Sequence, residues 1–221
     1  MKKLNHEKKY KVKRITAKAV FMLLSLLLIP TYTLIFGTKE SPWEFSLSNI
    51  GNFFTHRLAF IIWGILTGMG IAFYTLYLYE KMDFSDKKAR RYIISSVIFL
   101  VLAVITPALK ETLPIYYYMH VILSGLFALF FIISIILFIQ FLAKSNQRLS
   151  KTAIALLISC VGVSIVSMFI MGLNGVVEIL FFIGISIFLA GLSIVLNRFK
   201  RQTEIEEQKI EIDRAKKQYD N

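Results

Sequence analysis

The sequence predicts an all-α fold: a polytopic membrane helix bundle of six transmembrane helices with both termini cytoplasmic. Three observations carry that expectation. Six apolar runs are long enough to cross a bilayer, the connections between them alternate in Lys and Arg content, and hydrophobic residues make up 56% of the chain against 18% charged. A hydrocarbon core of about 30 Å needs roughly 20 helical residues, and runs of that kind fill most of the 221 positions.

The first run covers residues 15–37 and follows the basic stretch MKKLNHEKKYKVKR. It is longer than the apolar part of a signal peptide and lacks a small-residue cleavage site before the next loop, so it reads as a retained helix. The second run, 58–79, carries Gly64 and Gly68 in a GxxxG pattern followed by Gly70. The third, 92–109, contains Pro107, and the fourth spans 115–143. The fifth, 152–172, holds Ser159, Gly162, Ser164 and Ser167, and the sixth, 176–197, holds Gly184, Ser186, Ala190 and Gly191. Small residues let backbones approach where lipid offers no hydrophobic drive to associate, so the second, fifth and sixth helices are expected to form the tight core; the same residues also suit a dimer face. Pro30 and Pro107 are expected to kink or end their helices.

Orientation follows from charge. The N-terminal segment and the stretches EKMDFSDKKARR, AKSNQRLSK and RFKR are basic and read as cytoplasmic, whereas TKESPWEFSLSNIGNFFTHR, KETLP and LNG face outward. The net charge of +12 is thereby a topology signal that also attracts anionic headgroups, and no nucleic-acid partner is assigned. Trp43, Phe45, Phe53, Phe54 and Tyr116 to Tyr118 form the expected outer aromatic belt, with Tyr77, Tyr79, Tyr92 and Phe199 the inner one. Three parts result: a basic cytoplasmic tail (1–14), a six-helix membrane domain (15–197) and a charged helical tail (198–221) with Ile205, Ile212 and Tyr219 at seven-residue spacing. The single cysteine, Cys160, lies within an apolar run, which excludes an intrachain disulfide and a cysteine metal cluster.

Polar side chains inside the apolar zone gather at one depth. Glu178 enters the sixth helix about 5 Å past Gly175, and His120 sits at a similar depth in the fourth with Ser124 one turn further on the same face. His56 and Arg57 open the second helix at that boundary, and Lys110 and Glu111 follow the third. Ionisable residues at such positions are candidate site residues, so His56, Arg57, His120, Ser124 and Glu178 form the expected ligand layer. Each also has a structural reading: Glu178 pairing with Arg57 or Lys110, His120 donating to a backbone carbonyl, His56 facing headgroups. The spacing marks no metal or cofactor motif, and none is assigned. In the first outer loop, Ser46, Ser48 and Asn49 suit a helix cap or side-chain turns, Gly51 admits a positive φ, and the whole segment is expected to lie over the mouth of the bundle.

The segment Ser46-Leu47-Ser48-Asn49-Ile50-Gly51-Asn52, then His56-Arg57 leading into a glycine-rich helix, and the stretch from Thr106-Pro107 through His120 to Ser124 resemble a bacterial family of small multi-helix membrane proteins catalogued as a domain of unknown function, number nine-nine-eight. The resemblance implies a multi-helix fold and a bacterial plasma-membrane location, with no settled activity. Three functions stay open on the sequence. The first is a non-catalytic protein that binds or handles a lipid or small amphiphile in a pocket open to the outer leaflet. The second is an intramembrane lipid-headgroup hydrolase or transferase using His56, His120 and Glu178 as acid, base or metal ligands. The third is a membrane partner subunit or immunity-type protein working through its GxxxG face and cytoplasmic tail. Expected partners are membrane lipids and a second copy or another membrane protein.

Overall fold

The computed structural model describes residues 26–219, so the basic segment 1–14 and the start of the first run lie outside the described residues. Within that range every regular element is helical: α1 Leu26–Gly37, α2 Leu47–Phe53, α3 Arg57–Lys81, α4 Lys87–Ile105, α5 Pro114–Ser145, α6 Gln147–Met171 and α7 Gly175–Tyr219. Four of them, α3, α5, α6 and α7, are long and apolar enough to cross a membrane. The described part of α1 is shorter, and α4 opens with Lys87, Lys88, Arg90 and Arg91, which confines its apolar part to the segment after them.

Local chemistry sets the helix ends. Asp86 caps α4, its Oδ1 accepting from the N–H groups of Lys88 and Ala89 at 2.6 and 3.3 Å. α4 stops at Ile105 with Thr106 extended, as expected for a residue that precedes a proline. α1 continues through Pro30, so only the second of the two proline expectations is met by a helix end. Pro114 starts α5 at a position where its missing N–H costs nothing. Asn146 alone separates α5 from α6; its Oδ1 accepts from Arg148 and Leu149 at 2.9 and 3.1 Å. At the other end of α6, Gly172 adopts φ 73°, a conformation open to glycine and strained for other residues.

The long helices close into a ring. α3 packs on α4, α4 on α5, α5 on α6, α6 on α7, and α7 returns to α3, with α2 touching both α3 and α7. α5 and α6 share much less contact than α4 with α5 or α6 with α7. α1 joins at α3 and α7: Phe36 stacks on Phe60 and Trp63, Trp63 Nε1 donates to Thr33 Oγ1 at 2.9 Å, and a side chain at Gly37 would meet Ile179 at 2.6 Å.

The glycines divide differently from the expected three-helix core. A Cβ at Gly64 would lie 2.5 Å from Val104, and one at Gly68 would lie 3.0 Å from Val97, so the GxxxG face of α3 is filled by α4. Gly184 lets the α7 backbone press against the carbonyl of Cys160, and Gly191 meets Leu156, so the fifth and sixth predicted spans do pack tightly against each other. Tyr79 corrects the inner aromatic belt. It is 0% exposed, its hydroxyl lies 2.7 Å from Ser134 Oγ, and Ser134 Oγ donates to the Ala89 carbonyl at 2.7 Å. That buried chain ties α3, α5 and α4 together, which is how a polar ring is kept satisfied in an apolar core. Trp43, Phe53, Tyr116 and Tyr118 are exposed at the α2 end of the bundle. At the far end α7 runs on without a break into the charged tail, where Ile205, Ile210 and Ile212 are exposed.

Candidate functional site

The site begins with the short helix α2. Ser46 caps it, its Oγ accepting from the Asn49 N–H at 3.1 Å and lying 2.9 Å from Ser48 Oγ, while Asn52 Nδ2 donates to the Ser48 carbonyl at 2.6 Å. Leu47 and Ile50 are fully buried beneath it. Gly51 is helical and serves close approach, since a Cβ there would meet the Phe60 ring at 2.6 Å; the positive φ in this region falls instead on Thr55, at 61°.

α2 is held down on α7. Val176 N–H donates to the Pro42 carbonyl at 3.1 Å, and Gly175 passes so close to the carbonyls of Phe45 and Pro42 that a side chain would collide with them. This contact brings the first turn of α7 beneath the start of α2. The Leu47 N–H, one of the donors that a helix start leaves unsatisfied, points at the Glu178 carboxylate and donates to Oε2 at 2.6 Å. Glu178 thus takes a backbone donor as its partner, in place of the expected pairing with Arg57 or Lys110.

His120 is 7% exposed, with Nδ1 2.7 Å from the Ala103 carbonyl oxygen. A carbonyl only accepts, so Nδ1 carries the hydrogen and the ring serves a carbonyl in the last turn of α4. This is the backbone-carbonyl role that the sequence left open beside the ligand role. Ser124 follows one turn along α5 and is half-buried. Arg57 turns elsewhere: Nη1 donates to Asn52 Oδ1 at 2.6 Å and Nη2 to the Ile105 carbonyl, tying the α2–α3 corner to the end of α4. His56 is the residue preceding α3 and makes no side-chain cap bond.

Between these elements lies a cavity of about 490 Å³, inside the helical ring at its α2 end. His120, Ser124 and Glu178 line it together with Ser46, Ser48, Asn49 and Tyr117. Below them the walls are apolar and largely aromatic, built from Phe60, Trp63, Phe127, Phe181 and Phe182, and they reach Ile132. From Tyr117 to Ile132 the lining follows α5 for about 22 Å at the helical rise. On one side the cavity reaches the surface, because Val121 and Gly125 of α5 and Ile165 of α6 both line it and are exposed. α5 and α6 are joined at the opposite end through Asn146 alone.

His56 and Arg57 do not line the cavity, so the expected five-residue layer separates into three that share it and two that build the neighbouring corner. Among the described residues no three His, Cys, Asp or Glu side chains come together as metal ligands, and the His56, His120 and Glu178 set considered for catalysis is not assembled. Ser164 is a lining residue that the sequence marked only as small. It is 3% exposed, and its Oγ has no hydrogen-bond partner among the described residues.

The fold and cavity define a class of architecture: a ring of long apolar helices enclosing an amphipathic chamber at one end. Compared with known proteins, the chain matches no family model, no curated protein and no solved structure.

Proposed function

We propose that this is a six-span protein of the bacterial plasma membrane that binds or handles a lipid or small amphiphile in the chamber between its helices. In this reading α1 and α4 supply the two spans beyond the four long apolar helices, and the α2 end faces outward. The basic segments at the opposite end support that orientation through the positive-inside rule. A place in the unknown-function family named above belongs to the same proposal and rests on its two short motifs.

One observation carries the binding reading. The cavity has polar groups at one end, aromatic and aliphatic walls along its length, and a side gap between α5 and α6 toward the surface that lipid would cover. A volume of about 490 Å³ is within the range of ordinary ligand pockets. An amphiphile entering sideways would keep its head among Ser48, His120 and Glu178 and its chain against the rings. A hydrolase would need His56 in the same chamber, where it is not a lining residue. Partner binding through the GxxxG face would need a surface that α4 already fills.

Two measurements check the proposal. Purified in mild detergent, the protein is expected to retain a lipid visible by native mass spectrometry, and His120→Ala is expected to weaken retention about tenfold, while Leu129→Ala on the exposed face of α5 leaves it unchanged. Equal retention by all three proteins would remove His120 from the site. For orientation, a cysteine at exposed Thr55 in a Cys160→Ala background should label in intact cells, and one at exposed Ser85 only after permeabilisation. Labelling of both in intact cells contradicts the assigned sides.

A further inference from the structure

Ser164 has no reason within the protein to be a serine. A buried hydroxyl in a membrane helix ordinarily bonds back to the carbonyl one turn earlier. Here that carbonyl, of Cys160, is covered by the α7 backbone at Gly184, and the Ser164 Oγ is left unpartnered in the cavity wall, 3.8 Å from where a Gly184 Cβ would sit. An unsatisfied buried donor is costly, and it is tolerated where something outside the chain satisfies it. Glu178 lies six residues earlier on α7, about 9 Å nearer the α2 end. Its Oε2 is used by Leu47, and among the described residues Oε1 has no protein donor. Glu178 is also the only carboxylate in the cavity lining, where His120 is the one basic side chain.

Glu178 and Ser164 form an ordered pair: a carboxylate beneath α2 at the polar end of the cavity, and a hydroxyl donor about 9 Å deeper in an apolar wall. We propose that the occupant is a zwitterionic glycerolipid with a primary-amine head, whose ammonium donates to Glu178 and whose acyl-ester carbonyl accepts from Ser164. This rests on the amphiphile-binding reading and gives it a ligand class. The order of groups along such a lipid, amine outermost and ester carbonyls at the start of the chains, matches the order of partners down the cavity. One acyl chain would follow the aromatic wall, and the second would leave between α5 and α6 into the bilayer.

The test measures lipid binding to the delipidated full chain by native mass spectrometry, using phosphatidylethanolamine, phosphatidylcholine and phosphatidylglycerol of identical chains. The wild type should bind the ethanolamine lipid about tenfold more tightly than the glycerol lipid, with the choline lipid, which has no N–H, between them. Glu178→Gln keeps an acceptor for Leu47 and should erase that preference. Ser164→Ala should lower binding of all three about three- to tenfold without lowering the thermal midpoint of the lipid-free protein, because it removes an unsatisfied hydroxyl. Binding of all three lipids with equal affinity, unchanged by Glu178→Gln and Ser164→Ala, overturns the assigned ligand class and leaves the amphiphile site standing. Failure to bind any of the three removes both.

Discussion

Replacing Gly184 with leucine is expected to lower the stability of the bundle by about 3 kcal/mol, the upper part of the range for overpacking a filled site. The neighbour that a side chain would strike is the Cys160 carbonyl, which is backbone and cannot rotate away. α6 and α7 would have to separate along their whole contact, since Gly191 against Leu156 continues the same seam toward the basic end. The corresponding change at Gly64 meets the side chain of Val104, which can shift, so Gly64→Leu should cost less. Thermal unfolding of both variants in the same detergent checks the order. A Gly184→Leu midpoint equal to the wild type would mean that the two helices do not approach as described.

The second large effect concerns Glu178. Removal of its carboxylate in Glu178→Ala leaves the Leu47 N–H without its 2.6 Å acceptor and frees the start of α2 from α7. A hydrogen bond to a charged group contributes about 1.5–3 kcal/mol, so amides of α2 should exchange with solvent about ten- to a hundredfold faster, while amides of α3 and α5 keep their protection. Hydrogen exchange read by mass spectrometry on peptides covering 44–54 measures this directly. If exchange there is unchanged, the Pro42 contact with Val176 alone holds the segment. Glu178 would then be free of any structural duty.

Much of this arrangement could be read from residue order. The apolar runs mark the helices because a bilayer fixes their length, and the one-turn offset from His120 to Ser124 follows from helical period alone. That His120, Ser124 and Glu178 reach one chamber was open to the same reasoning, since each lies a countable distance from a turn at the same end. The cap at Ser46 is a local signal, three residues before the N–H that it receives. What stayed hidden depends on contacts between distant segments. The Glu178 bond to Leu47 spans 131 positions, and no local pattern announces it. Gly64 and Gly68 announce a close approach without saying to which helix, and the partner proved to be α4. Tyr79 has the composition of a belt residue, but Ser134 and Ala89 provide the polar partners that let it lie inside. Ser164 looks like any small residue on a packing face, and its distinction is a missing partner, which arises only when Gly184 seats α7 over Cys160. His56 misleads for the opposite reason: it shares the depth of the site but sits on the corner that Arg57 braces with Asn52 and Ile105.

The claim on which the rest depends is that the chamber holds an amphiphile in its apolar part. Ala128 lines the cavity from α5 one turn beyond Ser124, and a tryptophan there would occupy part of the space that a bound chain needs. The direct measurement is the number of lipid molecules retained per protein by native mass spectrometry for the wild type and Ala128→Trp, each purified from the same membranes. One retained lipid in the wild type and none in Ala128→Trp, with both proteins unfolding at similar temperatures, is the predicted result. A wild type that carries no stoichiometric lipid, or an Ala128→Trp protein that carries the same lipid load, would contradict it.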